Sequence, residues 1–195
     1  MQHLSYVEQR GKVNFPEFTG ERVYMKEFYK EKGLPSELSR WQNTVDSMLE
    51  GVETDGPIYL MIDQGVVKGG TSHRRSGLHV DGYWNPRISA HGGAKHFGSW
   101  KTGGWVNCDF NDKEALVLAS SLTAARGYQG NWEGTCGEGG DCSHISTSNL
   151  KEVVMHAGNI YAGNVAMLHE SLPVAEDCIR TLVRLNVPGW SPEKH

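Results

Sequence analysis

Ser76-Gly77-Leu78-His79-Val80-Asp81-Gly82-Tyr83-Trp84 is the stretch on which the reading of this chain turns. Leu78, Val80 and Gly82 alternate with His79, Asp81 and Tyr83. On an extended backbone His79 and Asp81 therefore point to one face and the aliphatic side chains to the other. An imidazole and a carboxylate so placed are two of the three ligands of a two-His-one-carboxylate facial triad, which leaves positions open on a non-haem Fe(II). The third ligand must come from a remote strand. Val165-Ala166-Met167-Leu168-His169-Glu170-Ser171-Leu172-Pro173-Val174 offers His169 on an aliphatic run closed by a proline.

A further strand follows, Cys178-Ile179-Arg180-Thr181-Leu182-Val183-Arg184-Leu185-Asn186-Val187, with Arg180 eleven residues beyond His169 and Arg184 fifteen beyond it. Arg180, Leu182 and Arg184 share one face of that strand, so either arginine can point inward. This ordered set resembles the Fe(II)/2-oxoglutarate-dependent oxygenase superfamily, and the glycine turn before His169 is similar to the prolyl-hydroxylase-type run. The resemblance covers roughly residues 58–187. It implies a double-stranded β-helix (jelly-roll, cupin-like) in a mainly β, α+β chain. It also implies Fe(II) held by His79, Asp81 and His169 as catalytic ligands, 2-oxoglutarate as cosubstrate, and O₂. The far carboxylate of 2-oxoglutarate needs a buried cationic fork, a task for which arginine is suited because it stays charged and pairs bidentately. Arg180 has the more usual spacing and is preferred. Arg184 has the spacing of ten-eleven-translocation-type 5-methylcytosine oxygenases. Tyr59 is a candidate for an added hydrogen bond, whereas strand parity disfavours Thr181.

The composition fits this reading. At 195 residues the chain is expected to be one domain with a proper core, residues 58–187 forming the β-helix and 1–56 its helical and irregular support. Hydrophobic content of 38% with 24 glycines suits a loop-rich β protein. A net charge of −4 argues against a broad nucleic-acid footprint. No apolar run is long enough to span a membrane, and none at the start reads as a signal peptide. The expected location is cytoplasmic, with Cys108, Cys136, Cys142 and Cys178 reduced. A zinc site from Cys136, Cys142, His144 and Cys108 is a minor alternative, since structural zinc sites carry tighter paired spacings.

Outward from the central stretch, residues 1–33 are polar and mixed, with a strand expected near 22–25 and a short helix after it. Ser36 reads as the N-cap of a helix over 36–50 whose Leu38, Trp41, Val45, Met48 and Leu49 face a sheet, with Gly51 ending it. Residues 58–64 read as a strand buried on both faces and closed by Gly65, and 114–121 as a core strand. Residues 127–132 form another, with Tyr128 and Trp132 able to line a pocket. The glycine- and aromatic-rich segment 85–107 reads as a lid, and its His91 and His96 compete as metal ligands.

The substrate is not named by these residues, and a small molecule, a peptide or a nucleobase all fit. Arg74, Arg75, Tyr83, Trp84 and Trp105 are the candidate substrate-binding residues. With Arg87, Lys95, Lys101 and Trp100 they give a nucleobase in DNA some support through charge and stacking. Two readings from other classes stand beside the oxygenase: a cupin-like metal-binding or structural protein without turnover, and a zinc hydrolase or isomerase using the same His and Asp. Consumption of 2-oxoglutarate with O₂ separates them.

Overall fold

A computed structural model describes residues 1–88, 103–111 and 113–194. His91, Lys95, His96, Trp100 and Lys101 lie outside the described residues. The chain is mainly β, with antiparallel strands throughout. The larger sheet is built from β2 (Val7–Lys12), β3 (Arg22–Tyr29), β4 (Pro57–Val67), β7 (Glu114–Ser120), β10 (Asn159–Gly163) and β12 (Cys178–Pro188), in the order β2-β10-β7-β12-β4-β3. A smaller sheet centres on β8 (Ala125–Glu133), which pairs with β1 (Gln2–Ser5), β9 (Lys151–Val154) and β11 (His169–Ser171). β5 (Tyr83–Asn85) and β6 (Gly104–Val106) form a separate pair.

The two-residue period decides what each face of the larger sheet does. Directly opposed residues share a face, so the register sets Tyr59 with Asn186, Met61 with Arg184, Asp63 with Leu182 and Gly65 with Arg180. The same face carries Leu116, Leu118 and Ser120 of β7, opposite Asn186, Arg184 and Leu182. The alternate residues Ile58, Leu60, Ile62, Val117, Ala119, Val183, Leu185 and Val187 point the other way. There they form one buried cluster with Leu38, Trp41, Val45, Met48 and Leu49. The supporting helix therefore covers one face and leaves the arginine-bearing face to the smaller sheet.

That helix starts differently from expectation. Residues Ser36–Trp41 are 3-10 helix, and only Gln42–Met48 (α1) is α-helical. Pro35 occupies the N-cap position and no side chain caps the turn. A proline cannot cap through a side-chain oxygen, and the tighter winding satisfies the first carbonyls through i to i+3 bonds instead. Gly51, at φ +70, ends the unit as expected.

Two further departures matter for the site. β4 does not close at Gly65 but runs on to Val67. At Gly65 an added Cβ would lie 2.8 Å from His73 Nε2, so the glycine admits a side chain packed over the strand rather than a turn. Segment 76–82 is not a continuous strand. His79 makes isolated antiparallel bridges to His169 on one side and Asp141 on the other, between Gly77 at φ +83 and Gly82 at φ +72. Its alternation nevertheless holds: Leu78 and Val80 are buried with Tyr128, Trp132, Cys142 and Leu168 behind the smaller sheet. Tyr128 and Trp132 thus belong to this core. Among the described residues no helix is long and apolar enough to cross a membrane.

Candidate metal centre

His79 and His169 are held beside one another by their own backbones. Each donates its peptide N–H to the other's carbonyl at 3.0 Å. The rings follow, with centroids 4.3 Å apart. Each ring is then oriented by its Nδ1, which lies 2.8 Å from the Gly77 carbonyl in His79 and 3.0 Å from the Met167 carbonyl in His169. An Nδ1–H committed to a carbonyl leaves the Nε2 lone pair for a ligand, the usual arrangement at metal-binding histidines.

Asp81 completes the group. Its Oδ2 lies 3.3 Å from His169 Nε2 and its Oδ1 lies 3.9 Å from His79 Nε2. Ligand atoms of His79, Asp81 and His169 all fall within 4.8 Å of one another, and these three residues could hold a metal ion. The backbone of Asp81 is fixed from outside, since Asn107 Nδ2 donates to its carbonyl at 2.7 Å. Gly82 follows because the chain must pass the β5–β6 pair closely: a Cβ there would lie 1.9 Å from the Val106 carbonyl oxygen.

The protonation states suit metal binding. Burial, and then the neighbouring His169, pull the His79 imidazole down to about 4, so it is neutral at physiological pH. Burial alone would raise the Asp81 carboxyl, but Arg184, then His169 and His79, outweigh it and hold it well below the usual carboxylate range. The donor set is thus two imidazoles, that of His79 neutral, and one ionised carboxylate. Asp81 Oδ2 is buried between the His169 ring and the Arg184 guanidinium, so the carboxylate is held ionised at the centre of the group.

A cavity of about 150 Å³ opens beside the three ligands. Arg180, Leu182 and Arg184 of β12 and Leu116 and Leu118 of β7 line it from the larger sheet, and Arg74 and Arg75 come from the preceding loop. The two β12 arginines differ in their surroundings. Arg180 is 2% exposed, donates its Nε to Ser120 Oγ at 2.8 Å, and has an Nη1 with no hydrogen-bond partner among the described residues. Burial, and then the nearby Arg74, lower it to about 10, which leaves it charged at neutral pH. Arg184 places its Nη2 2.9 Å from Asp81 Oδ2, and its guanidinium carbon lies 5.3 Å from the centre of the Trp105 ring.

The remaining expected site residues divide. Arg74 lines the cavity while its Nη1 donates to Asp63 Oδ2 at 3.1 Å, and Arg75 lines it while bonding the Gly139 carbonyl. Tyr59 shares the inner face, sits opposite Asn186, one pair beyond Met61 and Arg184, and lines a separate cleft with Tyr83 and Trp84. Trp84 is 8% exposed and packs edge-on against Tyr24 and Trp105, while its peptide N–H donates to Glu114. It is buried in a cluster with Met25, Tyr59, Met61 and Leu182. Trp105 packs between Trp84 and Arg184 and donates its Nε1 to Tyr24 Oη, so it supports an arginine of the cavity. Ser120 and Asn107 were not singled out from sequence. Ser120 carried a signal, since it stands at an inward parity position ending an apolar strand. Asn107 acts through distant backbone and carried none.

Among the described residues the alternative zinc set does not converge as His79, Asp81 and His169 do. His144 turns its Nε2 to the Thr135 carbonyl at 2.9 Å, and the four cysteines are free thiols. No protein-family model matches the chain, and no curated protein matches it. The crystal structure of AviO1 from Streptomyces viridochromogenes Tue57 is similar at a TM-score of 0.37 and 13% identity, over 93% of this chain and 75% of that one.

Proposed function

We propose that this protein is an Fe(II)- and 2-oxoglutarate-dependent oxygenase on a double-stranded β-helix, oxidising a small molecule, a peptide or a nucleobase. One observation carries the reading: His79, Asp81 and His169 converge beside a cavity lined by Arg180, a buried arginine whose Nη1 has no hydrogen-bond partner among the described residues. The metal fits because each imidazole turns its Nδ1 to a carbonyl and its Nε2 toward Asp81, His79 is neutral, and Asp81 is kept ionised. The cosubstrate fits because Arg180 is charged, dry and fixed by Ser120, with Nη1 left for a carboxylate. Fe(II) with 2-oxoglutarate and O₂ supplies the oxidising chemistry, with release of succinate and CO₂. The chain's residues do the rest. His79, His169 and Asp81 hold the ion, Arg180 holds the far carboxylate, and Arg184 fixes the Asp81 carboxylate through their ion pair. Leu116, Leu118 and Leu182 keep the chamber wall apolar. Arg74 and Arg75, each partly exposed, stand at its rim as the groups a substrate meets.

The test is succinate release from 2-oxoglutarate, dependent on Fe(II) and O₂, screened against metabolite, peptide and methylated-DNA pools. Asp81→Ala removes the one anionic ligand and should abolish both metal binding and succinate formation. Turnover that survives this change, or survives a chelator, would overturn the proposal. Stoichiometric metal binding without any 2-oxoglutarate consumption would favour the cupin-like binding protein instead.

A further inference from the structure

We propose that Cys136 and Cys142 form a reversible thiol–disulfide site, with Cys108 as its entry thiol, and that its closure braces the segment carrying His79 and Asp81. The two sulfurs already lie 3.5 Å apart. A disulfide needs about 2.05 Å, so closure asks for a shift of roughly an ångström and a half, within the reach of side-chain rotation. Cys142 is fully buried and Cys136 partly so, and burial pushes both thiols up, which makes neither the first to react. Cys108 is exposed, and its sulfur lies 3.8 Å from the Cys136 carbonyl. An accessible thiol therefore stands next to a buried pair, the arrangement in which oxidation at the surface is passed inward by exchange.

The chemistry balances with a hydroperoxide as oxidant. Cys108 sulfur attacks the peroxide, the O–O bond breaks, and a sulfenic acid and one water (or alcohol) form. The Cys136 thiol displaces the second water to give a Cys108–Cys136 disulfide. The Cys142 thiol then attacks Cys136 sulfur and returns Cys108 as a thiol. Two thiols have lost two electrons and two protons, and the peroxide has taken them up. A dithiol reverses the reaction.

The position of this pair gives it a consequence. Cys142 N–H donates to the Leu78 carbonyl at 2.9 Å and Val80 N–H donates to the Gly140 carbonyl at 3.0 Å, so residues 140–142 are the ladder neighbour of 78–80. Gly140 is required at this approach, since a Cβ there would lie 2.2 Å from the Val80 carbonyl oxygen. Joining positions 136 and 142 fixes the turn on which one side of the His79 segment rests. The covalent site stands without the proposed activity, while the bracing rests on the metal reading.

The full-length protein is treated with hydrogen peroxide, alkylated while denatured, and digested with trypsin. Cys136 and Cys142 fall in one tryptic peptide, residues 127–151, whereas Cys108 and Cys178 fall in two others. The expected product is the 127–151 peptide about 2 Da lighter and unalkylated, restored by dithiothreitol. Cys108→Ser should slow its formation, and Cys136→Ser should trap oxidation at Cys108. Overturning results are a 127–151 peptide that keeps both thiols after Cys108 is oxidised, or cross-links that run instead to Cys178. Bracing is read separately, as slower Fe(II) release to a chelator from the oxidised protein than from the reduced one. Equal or faster release would remove the bracing and leave the disulfide site intact.

Discussion

Arg180 and Arg184 stand four positions apart on one strand face, and their surroundings assign them different tasks. Arg184 is engaged by Asp81 and the Trp105 ring, while Arg180 is clamped at Nε and has a buried Nη1 with no hydrogen-bond partner among the described residues. Arg180→Leu should therefore raise the KM for 2-oxoglutarate by about a hundredfold, the effect of losing a buried charge-paired hydrogen bond worth roughly 3 kcal/mol. Its Fe(II) affinity, measured by titration without cosubstrate, should stay within a few-fold of the parent. Arg184→Leu should do the reverse, weakening Fe(II) binding because the carboxylate it steadies is a ligand. Parity in the sequence was enough to put both arginines on the inner face. It could not rank them, because the ranking depends on Ser120 and Asp81, which reach them only through the folded sheet. Tyr59 shows the same limit: its face was legible, its depth along the strand was not.

At the scale of elements, legibility followed apolar content. β4, β7 and β12 could be read because burial on both faces writes long aliphatic runs, and α1 because its apolar spacing matches a helix covering a sheet. β1 and β2 carry mostly polar residues and pair at sheet edges, so nothing in their composition marks them. The His79 segment looked like a strand but is only bridged, because glycines with positive φ bound it at both ends. The aromatic segment around Trp84 looked like substrate furniture and is instead the joint between β5 and the larger sheet, through Glu114 and the rings of Tyr24, Tyr59 and Trp105. Trp84→Ala should lower unfolding free energy by about 3 kcal/mol in urea titrations, as expected for emptying a buried aromatic site. Productive turnover and uncoupled 2-oxoglutarate decay should then fall together. Loss of productive turnover alone would return Trp84 to the substrate path.

For the whole molecule, acid should act first where charge is stored between loop and sheet. Asp63 is 7% exposed and sits among Arg22, His73 and Arg74. Burial pushes its carboxyl up, but the bond and charge of His73 and the charges of Arg74 and Arg22 prevail and lower it. A carboxyl lowered on folding contributes stability above its unfolded pKa, near 3.8, and loses that contribution as pH falls through the folded value. Stability measured by denaturant should therefore drop on acidification below about pH 4 more steeply for the parent than for Asp63→Asn. Asp63→Asn should itself be less stable at neutral pH, since it leaves three cationic or titratable groups without their anion.

The exchanged peptide bonds between His79 and His169 give the centre a clock. Each of these two amide protons is hidden by the other ligand's carbonyl, so neither can reach solvent unless the bridge opens. The motion that would let the ion escape is the motion that would let deuterium in. In the iron-loaded protein both amides should exchange at one common rate, and that rate should set the ceiling on how fast the metal can leave. Two different rates would mean that the two halves of the bridge open separately and that no single motion releases both ligands.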